Sequence, residues 1–437
     1  MKAVHHLFRQ LLTLLLVLLT TLCFAGWLLL DPVPLLTLSG QMNADTVRHS
    51  KQLLNNLNQS IKKPDGSPWV IAANADELNS AFHLASRTLP GFQGRAEVTA
   101  SGLTSLMTVP VRLLGQQYYL NATVQISPSS GPLQIDKVKI GMLTLPGGAA
   151  LTLVGSAADQ MWGAGTGAEL LAMVRSVQFE ENEVKVELNK PSGWNLQKLK
   201  ESGLSVYRDL FSSPQQRADI EFYYQIALEH AGRQQGSASL VSYLQILFQQ
   251  AAIRSAADPS VATRENQSAL LALAQLLGGQ NLQLLVNEVK RPSGVKAPRV
   301  TLARRPDLQQ HFIYSAAIHL LTSHNVSNTV GEAKELLDSI KGGSGFSFVD
   351  LLADRAGVRF ARLATASTAS AIAVQQFFQQ QRDETEIFPS KARLPEGLSQ
   401  QLFEQRYQSV DSAVYRQMVQ EIDRRLSALP LYQIKTE

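Results

Sequence analysis

Thiols are nearly absent from this chain. The only cysteine, Cys23, lies inside an apolar run near the N-terminus, so the rest of the chain has no disulfide, cysteine-ligated zinc or cysteine nucleophile. Charge of one sign is also in short supply. The 40 Lys and Arg residues stand against 36 Asp and Glu, and the small surplus is dispersed rather than gathered into the basic stripe that nucleic acid attracts. No Gly-x-Ser-x-Gly, Walker phosphate loop, dinucleotide fingerprint or His-Glu-x-x-His occurs, which disfavours serine-hydrolase, nucleotide and zinc-protease chemistry. His311, His319 and His324 with Glu332 resemble a metal set at first glance. However, a spacing of eight between the first two is not a ligand pattern, and each reads better as an ordinary core or surface histidine. No cofactor and no metal is expected.

What the chain does have is apolar mass. With 45% hydrophobic and 17% charged residues over 437 positions, it can bury sizeable cores in two or three globular domains. From Leu11 to Leu30 twenty residues carry no charge, and as a helix they span about 30 Å, the thickness of a bilayer's hydrocarbon core. A cleaved signal peptide fits less well, because Leu28, Leu29 and Leu30 continue past the small-residue site at Ala25. Lys2 and Arg9 before the run and Asp31 after it place residues 1–10 in the cytoplasm and the body across the membrane, in a periplasm where the cell has two membranes. Trp27 suits the interface.

The body divides by periodicity. Val47, Leu54, Leu57 and Ile61 predict an amphipathic helix ended by Lys63-Pro64-Asp65-Gly66. Asn74 with Glu77 forms a capping-box start for a helix whose apolar stripe runs from Leu78 to Leu89. The period then becomes two: Tyr118, Leu120, Ala122, Val124 and Ile126 share one face of a strand, Val109 to Leu114 and Leu133 to Ile140 read as its neighbours, and Val177 to Leu188 reads as a hairpin. Gly141 to Gly148 reads as a turn, and Ala149 to Val154 suits a buried turn or a lipid-facing lip. After Pro191 the strand signal disappears. Helices are predicted over Arg217–Ala231, Ser239–Ala256, Gln267–Leu277, Asp307–Thr322, Thr329–Lys341, Ser347–Gln380 and Ser409–Leu426. The expected fold class is therefore α+β: a transmembrane helix at 11–30, an antiparallel-sheet α+β domain at 40–191 and a mainly α-helical domain at 192–437.

The most unusual stretch is Gly331 to Arg359, where an acidic helix ends in Gly342, Gly343 and Gly345 and a second helix opens with Asp350, Asp354 and Arg355. The glycines permit a sharp turn that brings the two helices together. Glu332, Glu335, Asp338, Asp350 and Asp354 could then line a cleft, two of them acting as general acid and base on a glycosidic bond. The plainer alternative is that the glycines cap one helix, Ser347 or a neighbour starts the next, and Asp350, Asp354 and Arg355 form a solvated or ion-paired helix face.

Two resemblances follow from these residues. Glu77-Leu78-Asn79, Leu89-Pro90-Gly91 and Lys139 to Pro146 are together similar to the YpmS-type family of membrane-anchored extracytoplasmic proteins, over about a third of the chain. Gly342 to Phe360, with Leu394-Pro395-Glu396 and Asp411 to Tyr415, resembles a pattern in uncharacterised proteobacterial envelope proteins. Both imply an envelope compartment and no catalytic motif. The expected role is a binding or scaffolding module in envelope assembly or maintenance. Envelope glycan hydrolysis and lipid or hydrophobic-ligand binding by the sheet domain are the alternatives. The partners expected are the inner membrane and peptidoglycan, lipid or another envelope protein, with no nucleic acid.

Overall fold

A computed structural model describes residues 26–37, 48–49, 52–53, 68–88, 91–113, 115–189, 213–234, 236–278, 298–321 and 345–434. They fall into two compact units, His49–Leu196 with the N-terminal segment and Gln197–Glu437 with a short piece before His49.

The first unit is an antiparallel α+β body. β2 (Pro68–Asn74), β9 (Glu183–Asn189) and β8 (Val174–Glu180) form one sheet in that order, and Trp69, Ala73, Val177 and Val184 bury their side chains there. The second sheet runs β3 (Gln93–Thr99), β4 (Gly102–Leu113), β5 (Gln116–Ile126), β6 (Ile135–Ile140), β7 (Leu143–Pro146). The alternation read at Tyr118 to Ile126 is that of β5. Its register sets Leu120, Ala122, Val124 and Ile126 beside Val109, Met107, Ser105 and Leu103, and Val124 and Ala122 beside Val138 and Ile140. α1 (Ala75–Thr88) starts with the expected capping box, Asn74 N–H donating to Glu77 Oε2 at 3.0 Å and Glu77 N–H to Asn74 Oδ1 at 2.8 Å. The amide of Asn79 then fastens α1 to both backbone groups of Ala96 in β3.

Several expectations need correction here. Leu30 does not belong to a helix: helical backbone stops at residue 29, and β1 (Leu30–Asp31) pairs with Leu120 and Tyr119 of β5, because the edge of β5 beyond β6 is open to accept it. Residues 11–25 of the expected span, and most of the helix expected around Val47 to Ile61, lie outside the described residues. Among the described residues no helix is long and apolar enough to cross a membrane. The stretch read as a turn holds β7, and Ala149 to Val154 belongs to α2 (Gly147–Trp162), followed by α3 (Thr166–Ala172).

The second unit is built on helices α4 (Pro214–Arg233), α5 (Leu240–Ser255), α6 (Ala262–Leu277), α7 (Pro306–Leu321) and α8 (Phe348–Thr365). α6 is the central helix, buried on nearly every side, and even its Asn266, Ser268 and Gln275 are enclosed. α9 (Thr368–Phe377) follows α8, and α10 (Gln400–Tyr407) and α11 (Ala413–Ser427) close the chain. Phe346, Phe348, Phe403, Tyr407 and Tyr415 pack ring on ring where these last helices meet the start of α8. Two predictions fail in this unit. The helix expected over Ser347–Gln380 is broken at Ser367, whose hydroxyl accepts from Ser370 N–H and starts α9 as a new helix. Strands also persist: β10 (Ser237–Ser239) and β11 (Arg299–Thr301) form a short parallel pair, held by Glu384, which accepts from Ser239 Oγ at 2.5 Å and Ala303 N–H at 2.9 Å.

Candidate functional site

α7 and α8 cross unusually closely. A Cβ on Gly357 would overlap the carbonyl of Phe312, so the two backbones touch there and their flanking residues meet face to face. On α7, Asp307, His311 and Ser315 recur every four residues and share a face. Asp350 and Asp354 do the same on α8. The two polar stripes interlock. His311 Nδ1 lies 3.0 Å from Asp354 Oδ1, which also accepts from Ser315 Oγ at 2.7 Å, and His311 Nε2 lies 3.5 Å from Asp350 Oδ2.

Arg305 closes the outer end. Its guanidinium grips Asp307 through Nε at 3.1 Å and Nη2 at 2.5 Å, reaches Asp350 Oδ1 at 3.3 Å and pairs with Glu396 at 2.5 Å. That hydrogen bonding holds the Asp307 carboxyl below its ordinary range, against a smaller upward push from burial. Ser347 starts α8 as expected, its hydroxyl accepting from Asp350 N–H at 3.0 Å.

Of the five sequence candidates, the structure brings Asp350 and Asp354 together on one imidazole. Glu332, Glu335 and Asp338 lie outside the described residues. Of the plainer reading, the solvated half does not hold for Asp350 and Asp354, which are both buried, while the ion-paired half does: Arg305 lies 3.3 Å from Asp350, and Arg355 pairs with Asp423. Burial of two carboxylates is tolerable because His311, Ser315 and Arg305 supply donors. One oxygen, Asp354 Oδ2, is buried without a hydrogen-bond partner. Chemically, an imidazole bracketed by two carboxylates can hold and pass a proton along the line from Asp350 to Asp354. Both ring nitrogens are engaged, and among the described residues no group of His, Cys, Asp and Glu could hold a metal ion.

The sequence reading missed a second buried ionic cluster. Asp219 of α4 and Glu265 of α6, each 2% exposed, share Arg254 of α5 at 2.6 Å apiece, and Arg264 lies 3.0 Å from Asp219. Tyr223 donates to Glu265 at 2.7 Å, and burial, followed by that bond, raises the phenol well above its ordinary value. Asp219 and Tyr223 are four apart on α4, a visible spacing, but their partners come from two other helices. This cluster joins three helices.

No family model, no curated protein and no solved structure matches this chain.

Proposed function

We propose that this chain is a single-pass inner-membrane protein, N-terminus in the cytoplasm and body in the periplasm, acting as a binding or scaffolding module in envelope assembly or maintenance. One observation carries the reading: the apolar run passes into the first unit without slack. Leu30 and Asp31 pair with β5, and the Asn121 amide holds the next residues, donating to Asp31 Oδ2 at 2.8 Å and Val33 O at 2.9 Å and accepting from Leu35 N–H at 2.9 Å. A sheet fastened to the last turn of a membrane helix is held at the bilayer surface rather than on a tether. The junction also suits that surface, since Trp27 and Met142 are exposed there and Met142 N–H donates to Leu28 O at 2.8 Å.

The face of β4, β5 and β6 that carries Met107, Leu120, Val124 and Val138 is only half-buried, which favours lipid or another hydrophobic ligand as what the module binds. The test begins with topology. A reporter that fluoresces only in cytosol, fused after Glu437, should stay dark, and a bright signal overturns the reading. The full chain incubated with peptidoglycan should release no soluble glycan. Release that Glu335→Gln or Asp354→Asn abolishes would replace the binding module with a hydrolase.

A further inference from the structure

The second unit carries a cavity that none of the preceding assignments uses. It encloses about 560 Å³ between α8, the start of α9 and the C-terminal segment, a size typical of small-molecule sites. Arg355, Arg359 and Arg362 all line it, at helical offsets of four and seven that put three guanidiniums on one face of α8. The sole acidic lining residue is Asp423, so the wall carries a surplus of two positive charges.

The arginines are not equivalent. Arg355 is locked in a two-pronged pair with Asp423, at 2.9 and 2.6 Å. Arg359 lies over the Tyr432 ring, 4.5 Å from its centroid, and donates to Ser427 Oγ at 2.8 Å. Both are oriented in advance. Arg362 is exposed and makes no hydrogen bond or ion pair among the described residues, so its donors are available. Ser367 and Ser370 at the start of the ten-residue α9 also line the cavity, which adds the positive end of a helix to the same field. Val358 and Leu363 of the same helix, with Ala366 at its end, add apolar lining beside the guanidiniums.

We propose that this cavity binds a phosphate ester or diphosphate, its anionic group among Arg355, Arg359 and Arg362 and its apolar part against Val358 and Leu363. Two surplus positive charges match a dianion better than a single carboxylate, and planar guanidinium forks suit phosphate oxygens. A volume of about 560 Å³ accommodates one small phosphorylated headgroup.

The experiment uses the full chain in nonionic detergent. Inorganic pyrophosphate is titrated by calorimetry, and binding to neutral lipid vesicles is compared with binding to vesicles containing phosphatidic acid. Saturable binding of at least one probe is expected, weakened about tenfold by Arg362→Gln with the thermal midpoint of the unliganded protein unchanged. Pyrophosphate binding points to a soluble phosphate ligand and vesicle binding alone to a lipid headgroup, and either supports the site. Arg355→Gln also frees Asp423, so Arg362→Gln is the deciding variant because no fold contact depends on it. Absence of saturable binding to both probes, or equal affinity in wild type and Arg362→Gln, overturns the proposal.

Discussion

His311 Nδ1 and Asp354 Oδ1 lie 3.0 Å apart, joining residues 43 positions distant and fixing the register of α7 on α8. The pair sits in a buried seam, so its energetic weight depends on satisfied polar groups rather than on attraction between charges in water. Removing the acceptor should therefore cost more than removing either donor. Asp354→Ala deprives His311 and Ser315 of this partner and should lower stability by about 3 kcal/mol, whereas Ser315→Ala should cost about 1 kcal/mol. Urea unfolding at unchanged slope measures both. Equal losses would mean that Asp354 is not the hub of the seam.

Gly357 sets how close α7 and α8 can come. Glycine inside a helix normally costs about 0.5–1 kcal/mol relative to alanine, so on propensity alone Gly357→Ala should stabilise α8. The Phe312 carbonyl occupies the space a Cβ would need, and that carbonyl is backbone and cannot rotate away. Gly357→Ala should thus destabilise by about 3 kcal/mol and loosen the seam. A neutral or stabilising result would place the helices further apart than described.

Parts of this architecture can be read from local sequence and parts cannot, for physical reasons. The Asn74–Glu77 box, the Ser347 cap and the alternation of Tyr118 to Ile126 are each complete within a few residues, and each appears where the pattern puts it. β3 was not legible, because Gln93–Thr99 gains its buried face from packing against α1, β8 and β9 and from pairing with β4. The break at Ser367 is hidden because Ala366, Ser367 and Ala369 fit a continuing helix equally well, and only the cap on Ser370 shows otherwise. β10 and β11 are three residues each and about 60 positions apart, too short to leave a periodic signal. The candidate site shows the same division. The four-residue spacing of Asp350 and Asp354 is visible in the sequence, but the imidazole that joins them arrives from another helix.

Asn121 holds the exit segment of the first unit by three bonds to residues 31–35 and accepts a fourth from Thr108 Oγ1 at 2.9 Å. Asn121→Ala removes all four, while β5 keeps its backbone ladder. The expected outcome is local release. Amide exchange at Leu35, whose N–H donates to Asn121, should accelerate by one to two orders of magnitude, with β4 and β5 still protected. Exchange unchanged at that position would show that β1 alone secures the segment.

The Asp219, Arg254 and Glu265 cluster ties α4, α5 and α6 together. Removing Arg254 strands two carboxylates that are almost wholly enclosed, although Arg264 still reaches Asp219 at 3.0 Å and lies 3.8 Å from Glu265. Arg254→Ala should cost about 3 kcal/mol by the usual penalty for breaking a buried pair. A double change of Arg254→Met with Glu265→Gln should recover part of that loss, because it removes the stranded charge as well. If the double variant is no more stable than the single one, the loss comes from packing against Phe222, whose ring lies 4.5 Å from the guanidinium, rather than from charge.

Acid should weaken the second unit in two separate windows. Burial, and to a lesser degree the nearby Arg233 charge, holds His230 below its ordinary value of 6.5. As pH falls through that value the unfolded chain takes up a proton that the folded chain does not, so stability declines from there downward. The carboxylates act lower. Hydrogen bonds from Arg424 and Arg425 pull Glu421 down to about 2 from 4.5, and Arg305 holds Asp307 below 3.8. Their contribution is whole above those ordinary values and is lost only as pH falls toward the folded-state ones. Urea midpoints at pH 7.5, 5.5 and 3 separate the two windows. His230→Gln should flatten the change between the first pair and leave the drop toward pH 3 intact, because the glutamine cannot take up a proton in either state. An unchanged slope between pH 7.5 and 5.5 would assign that window to a group other than His230.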